Sequence, residues 1–245
     1  MASRAFRWAY STLNQGGIST CSRHYQSVGP VDFENSAPLS LEMGLPPTES
    51  HVIAVSIASE LQLPVLLRML INSGIEPEKS KRGKADPPVI IGGPMTRSNP
   101  SVLTGIGDIT VFGDGEPAME RLLELLAQGV TGRAELLAAM ASSPGVLFED
   151  KVDEWQPCVA AAKLPLFASI TTPESTFGNS RLVEVVRGCP RACAFCVSTR
   201  HSAPLRMAAP GAIIDALPAG DRKLGLIGAC IGDYPHLSVR LAGLA

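Results

Sequence analysis

Short β-branched runs alternate with helically spaced leucines along the first half of this chain, and few architectures accept that pattern. Residues 51–57, with Val52, Ile53, Val55 and Ile57, read as a strand. Leu63, Leu66, Leu67 and Leu70 then recur at i, i+3, i+4 and i+7 spacing, which puts them on one helical face, and Gly74 supplies the stop. Residues 88–94 give a second buried strand ending in Gly92, Gly93 and Pro94, Asn99 and Pro100 open a short helix, and residues 108–112 give a third strand. A further helix starts from Gly113, Asp114 and Gly115, with Met119, Leu122, Leu123 and Leu126 on one face. Strands that are apolar throughout are buried on both sides. The pattern therefore predicts an α/β fold over residues 1–140, a doubly wound (Rossmann-like) parallel sheet with helices on both faces.

Leu182, Val183, Val185 and Val186 mark another buried run, closed by Arg187 and Gly188, and Cys189, Cys193 and Cys196 follow at C-x3-C-x2-C spacing. The thiols thus sit on a loop leaving the carboxyl end of a strand, where β/α folds place ligand sites. Their number is informative. A [4Fe–4S] cluster normally takes four thiolates, so a loop that offers three leaves one iron open to another ligand. Structural zinc prefers two separated cysteine pairs, or one pair with two histidines. Here Cys21, Cys158 and Cys230 are solitary and the nearest histidine is His201, which leaves zinc as the weaker alternative. A disulfide framework belongs to small oxidised domains, whereas this chain has six cysteines in 245 residues and no secretory signal is read.

Composition narrows the partners. With 45% hydrophobic and 18% charged residues, the chain has enough apolar side chains for one or two ordinary cores. No apolar run reaches the length of a membrane span, so no membrane role is expected. The formal charge of −2 creates no basic field, and no nucleic-acid partner is expected. The one basic cluster, residues 78–84 with Lys79, Lys81, Arg82 and Lys84, reads as a solvated loop. The first 31 residues carry Arg4, Arg7 and Arg23 and no Asp or Glu, but they show no clear amphipathic period, so they read as a cytoplasmic start and not as a transit peptide.

The cysteine loop and the stretch leading to it, residues 172–189, resemble the start of the barrel in radical SAM proteins. The resemblance implies that Cys189, Cys193 and Cys196 hold a [4Fe–4S] cluster whose open iron chelates the amino and carboxylate groups of S-adenosylmethionine (SAM). The cluster passes SAM one electron, yielding methionine and a 5′-deoxyadenosyl radical. It also implies that Phe195 lies against the adenine and that Asp233, after the second barrel strand, faces the SAM amino group, a looser match. A one-electron donor such as flavodoxin or ferredoxin and a cytoplasmic setting belong to the same picture. Glu184, set among apolar neighbours, reads as a solvent-facing strand residue, with the barrel lumen as the alternative.

The pattern of Ile90, Ile91, Gly92, Gly93 and Pro94, then Ser98, Asn99 and Pro100, then Gly113 to Pro117 resembles the cobalamin (B12)-binding-type domain that precedes the barrel in many radical SAM proteins. It implies that Gly92, Gly93, Gly113 and Gly115 let the backbone approach cobalamin. Each is equally what a tight β-α turn requires. The D-x-H-x-x-G motif that supplies a cobalt-ligating histidine in many such domains is missing, and His24 and His51 lack that setting. Any cobalamin would therefore bind without a protein histidine on cobalt, or the fold persists without the cofactor. With cobalamin, methyl transfer to an unactivated carbon is the implied reaction class. The alternative is a non-catalytic iron–sulfur or corrin-binding module, or an inactive remnant.

Residues 141–180 read as a connector in which residues 145–148 form a lone strand. Residues 181–245 read as the first part of a radical SAM (β/α)6 barrel: a strand, the cysteine loop, a helix from Pro210, a second strand over residues 223–230 and one short helix over residues 236–245. A six-unit barrel needs on the order of 200 residues, so the sequence is expected to hold a truncated barrel with an open edge.

Overall fold

The structure, a computed structural model, describes residues 4–26, 37–147, 156–160, 164–167, 171, 173, 176–215 and 223–234. The expected short helix over residues 236–245, Phe148, and Thr172, Glu174 and Ser175 of the connector lie outside the described residues. The chain divides into two compact units, Leu13–Cys158 on one hand and Met1–Thr12 with Val159–Ala245 on the other.

The chain opens with helix α1 (Arg4–Asn14). This differs from the expectation of no amphipathic period: Leu13 is buried against the apolar side of the first unit, and Arg7 is also buried. A buried arginine is invisible to a simple apolar count.

The first unit is built on β1 (Ile53–Ser56), α2 (Leu63–Asn72), β2 (Val89–Gly92), α3 (Met95–Ser98), β3 (Ile109–Val111), α4 (Glu116–Ala127), α5 (Arg133–Met140) and β4 (Val146–Leu147). Strand order is β1-β2-β3-β4. Ile53 pairs with Val89 and Ile90 with Ile109 in parallel register, as the alternation of strand and helix requires. The residues expected to form a lone strand instead pair antiparallel to β3, Thr110 opposite Leu147, and so close a ladder that would otherwise be open. Side chains alternate along β2. Val89 and Ile91 pack with Leu66, Leu70 and Met95, while Ile90 packs with Ile109, Val111, Leu122, Leu125, Leu136 and Met140. The sheet is therefore covered by helices on both faces. The α2 helix stops as its sequence predicts: Gly74, at φ +71°, donates its N–H to the Ile71 carbonyl at 3.0 Å, and Ile75 N–H reaches Leu70 at 2.9 Å.

The basic cluster is not simply a solvated loop. Lys81 does lie outside, 2.7 Å from the exposed Glu78. Arg82 turns inward instead, its side chain fully out of solvent (0% exposed), and donates to the carbonyls of Glu76 and Pro77 and to Asp108 at 2.7, 2.8 and 2.8 Å. Arg133 approaches the same carboxylate from the start of α5. Asp108 also accepts the Val89 N–H at 2.8 Å, so one carboxylate ties both arginines to the amino ends of β2 and β3.

The second unit contains β5 (Leu166–Phe167), β6 (Arg181–Glu184), β7 (Val186–Arg187), α6 (Ser198–His201), β8 (Arg206–Met207), α7 (Pro210–Asp215) and β9 (Leu224–Ile227). β6 and β9 are parallel, from Arg181 opposite Leu224 to Glu184 opposite Ile227, with α7 between them in sequence, which makes one β/α/β unit. β5 adds antiparallel to β6, and β7 pairs with β8 as a two-stranded ribbon. The core gathers Val183, Val185, Val186, Ala208, Ile213 and Tyr234, whose hydroxyl donates to the Ala208 carbonyl at 2.6 Å. The segment expected to be a connector with one lone strand thus gives a strand to each unit, β4 to one sheet and β5 to the other.

Candidate metal centre

The cysteine loop leaves the carboxyl edge of the β6–β9 pair, and its first residue after β7 explains how it turns. Gly188 sits at φ +86°, and a Cβ there would fall 2.7 Å from both the Ser202 and Pro204 carbonyl oxygens. Only glycine lets the strand end pass this close to the returning chain. Ala192 also takes a positive φ, 41°, within the loop. Cys196 N–H then bonds to the Cys193 carbonyl at 3.1 Å, and the Thr199 hydroxyl to the Cys196 carbonyl at 2.8 Å, so the third cysteine leads directly into α6.

All three thiols are half-buried. Among the described residues no three His, Cys, Asp or Glu side chains converge to hold a single metal ion. A [4Fe–4S] cluster asks for something different, since each thiolate holds its own iron and the sulfurs stay apart. Three thiols on one partly open loop, with no carboxylate or imidazole interposed between them in sequence, are a donor set that fits such a cluster.

Two segments meet at this edge. Arg191, inside the loop, donates from Nε and Nη2 to both oxygens of Asp233 at 2.9 and 2.6 Å. These bonds hold the Asp233 carboxyl below the usual carboxylate range. The guanidinium also lies within electrostatic range of Cys189 and Cys193. Asp233, which resemblance assigns to the SAM amino group, is therefore already one half of an ion pair. Its two oxygens retain lone pairs for a further donor. Phe195 is 89% exposed, so its ring is open to solvent.

The second strand also brings in a residue that sequence reasoning set aside. Cys230 Sγ lies 3.5 Å from the carbonyl of Gly188, the residue before Cys189, and is within electrostatic range of the Cys189 thiol. Burial, and then the charge and hydrogen bond of Cys189, push the Cys230 thiol above its ordinary value. The signal that finds it is register: with Glu184 opposite Ile227, the residues that follow both strands share one edge. Glu184 is likewise corrected. It is buried, not solvent-facing, and is bound by Arg187 at 2.6 and 3.2 Å, a neutralised pair that the low-dielectric interior can hold.

The glycines singled out in the first unit have a different explanation. Gly93 is at φ +106°, and a Cβ there would lie 2.5 Å from the Ile57 carbonyl oxygen. Gly113, at φ +108°, would strike the backbone of Cys158, whose N–H bonds to Phe112 O at 2.8 Å and whose carbonyl accepts from Asp114 N–H at 2.9 Å and from Arg97 Nη2 at 3.2 Å. The chain's own backbone fills the space over both. Gly92 faces the Val111 Cβ at an ordinary 3.7 Å, and Gly115 faces open space at the start of α4. The tight-turn requirement accounts for Gly93 and Gly113, and this set does not fit a corrin lying on all four.

Residues 5–148 match the family described as radical SAM proteins, N-terminal. The match spans more than half of the chain, and the chain belongs to that family. It covers the sheet of the first unit and ends before the cysteine loop begins. A comparison with curated proteins found no match, and neither did a comparison with solved structures. Among the described residues no helix is long and apolar enough to cross a membrane.

Proposed function

We propose that the second unit carries a radical SAM centre in which Cys189, Cys193 and Cys196 each hold one iron of a [4Fe–4S] cluster and leave the fourth iron for SAM. The observation that carries this reading is the three-thiol loop on the carboxyl edge of a parallel strand pair, in a chain whose preceding part belongs to a radical SAM N-terminal family. When bound, such a cluster supplies one electron for the reductive cleavage of SAM to methionine and a 5′-deoxyadenosyl radical.

The chain's own residues have definable parts around that chemistry. Gly188 fixes where the loop departs, and the Arg191–Asp233 pair holds the loop against the segment after β9. Asp233 remains an anion in this pair and can accept the SAM ammonium through its remaining lone pairs. Phe195 offers an open aromatic face to the adenine, a contact whose value comes from covering apolar ring surface. The electron would come from a small donor protein of the flavodoxin or ferredoxin kind. No step is assigned to cobalamin.

Anaerobic reconstitution with iron and sulfide tests the proposal. The wild type should load one cluster, and Cys189→Ala, Cys193→Ala and Cys196→Ala should each fail to hold it, while Cys21→Ala and Cys158→Ala should load as wild type. Full loading of Cys193→Ala would overturn the ligand assignment. Loading without any SAM cleavage under a strong reductant would leave an iron–sulfur module in place of an enzyme.

A further inference from the structure

Cys230 has no part in the proposed ligand set, yet the fold places its thiol on the backbone that leads into one member of it. Gly228 is the first cause: a Cβ there would lie 2.7 Å from that of Val186, so glycine lets the chain after β9 close on the start of the loop. The Cys230 sulfur then meets the Gly188 carbonyl at 3.5 Å, one peptide unit from Cys189, whose thiol lies within electrostatic range of it. Further along, the two bonds between Arg191 and Asp233 clamp the same two segments. The pair of sulfurs is thus held from both sides, by strand register below and by an ion pair above. Both are half-buried and within reach of a small oxidant.

We propose that Cys189 and Cys230 form a reversible disulfide, a modification site that withdraws Cys189 from metal binding. With hydrogen peroxide as the oxidant, one thiol sulfur is oxidised to a sulfenic acid as the peroxide O–O bond breaks and the first water leaves. The second thiol attacks that sulfur, the S–S bond forms, and its proton departs with the sulfenic hydroxyl as a second water. Two thiols and one peroxide thereby give one disulfide and two waters, and an external dithiol reverses the change. The disulfide itself stands on the geometry above; its effect on cluster loading rests on the proposed function.

The experiment uses the full chain, cluster-free and reduced, treated with hydrogen peroxide. Remaining thiols are then blocked with iodoacetamide, and the digest is mapped by mass spectrometry. A linked pair of peptides holding Cys189 and Cys230 is expected, two hydrogens lighter than the free thiols, lost on reduction with dithiothreitol and missing from Cys230→Ser. The linked protein should take up no cluster on reconstitution and should regain uptake after reduction. A main product linking Cys193 to Cys196, or Cys189 to Cys193, would overturn the proposal, as would full cluster uptake by the linked chain. If the Cys189–Cys230 link forms but the reduced wild type never loads a cluster, the disulfide stands and the proposed function falls.

Discussion

Asp108→Ala should be among the most damaging single substitutions in the first unit, although the residue touches no proposed ligand site. Its carboxylate, 4% exposed, accepts from Arg82, from Arg133 and from the Val89 N–H. Removing it leaves the fully buried Arg82 side chain without its counter-charge, and breaking a buried ion pair from one side costs about 3–5 kcal/mol. The orphaned Val89 N–H would add roughly 1–3 kcal/mol if it found no water. Arg133 is 14% exposed and can turn toward solvent, so the losses overlap and the net cost should be about 4 kcal/mol. For a unit of this length that corresponds to a fall in Tm of roughly 8–16 °C. Thermal and urea melts followed by far-UV circular dichroism measure it. The cause is separable from simple loss of packing: Asp108→Leu combined with Arg82→Met and Arg133→Met removes all three charges and should recover much of the loss. A cost below about 1 kcal/mol for Asp108→Ala, or a triple variant less stable than the single one, would refute the reasoning.

Gly113→Ala forces a side chain into the Cys158 backbone at φ +108° and should cost about 1–3 kcal/mol by denaturant midpoint, whereas Gly115→Ala, at φ −84° with open space beside it, should be nearly neutral; equal effects would contradict the packing account. Burial, with the Glu42 charge, pushes the Cys21 thiol up to about 11, so in the folded chain at pH 8 it should alkylate slowly and in urea at the ordinary thiol rate. Because its folded value is raised, the stabilisation it gives is complete below about pH 9 and fades as pH climbs toward 11; fast labelling of the folded chain at pH 8 would contradict the burial. The Asp233 carboxyl is lowered by Arg191, so the clamp should persist through neutral and mildly acidic pH and release only as pH falls below the ordinary aspartate value of about 3.9. Carboxyl NMR titration should show the Asp233 midpoint rising in Arg191→Met, and an unmoved midpoint would contradict the pairing.

The strands and helices of the first unit were legible because their signals are local: apolar runs at Val89–Gly92 and Ile109–Val111, leucine spacing in α2 and α4, and Gly74 at a helix end. What escaped is set by partners distant in sequence. Arg82 looks like one more surface cation until Asp108 and Arg133 are brought to it, and Glu184 looks solvent-facing until Arg187 turns back on it. The α5 helix gave no conspicuous stripe, although its Ala, Leu, Glu and Met residues are all strong helix formers. In the candidate site the three-cysteine spacing is readable directly, since the ligands share one loop. Cys230 is not, because its place beside Cys189 depends on the β6–β9 register. Gly93 and Gly113 were readable as glycines that something must approach closely, but only the fold identifies that something as the backbone of Ile57 and Cys158.

The most direct test of the central claim is the electron paramagnetic resonance spectrum of the reconstituted, dithionite-reduced chain before and after SAM is added. If Cys189, Cys193 and Cys196 leave one iron open, SAM should bind that iron and shift the signal of the reduced cluster, and the shift should be missing with 5′-methylthioadenosine, which lacks the amino and carboxylate groups that chelate the iron. A reduced-cluster signal that SAM leaves unchanged would mean that no iron is open to it, and would contradict the three-thiol account.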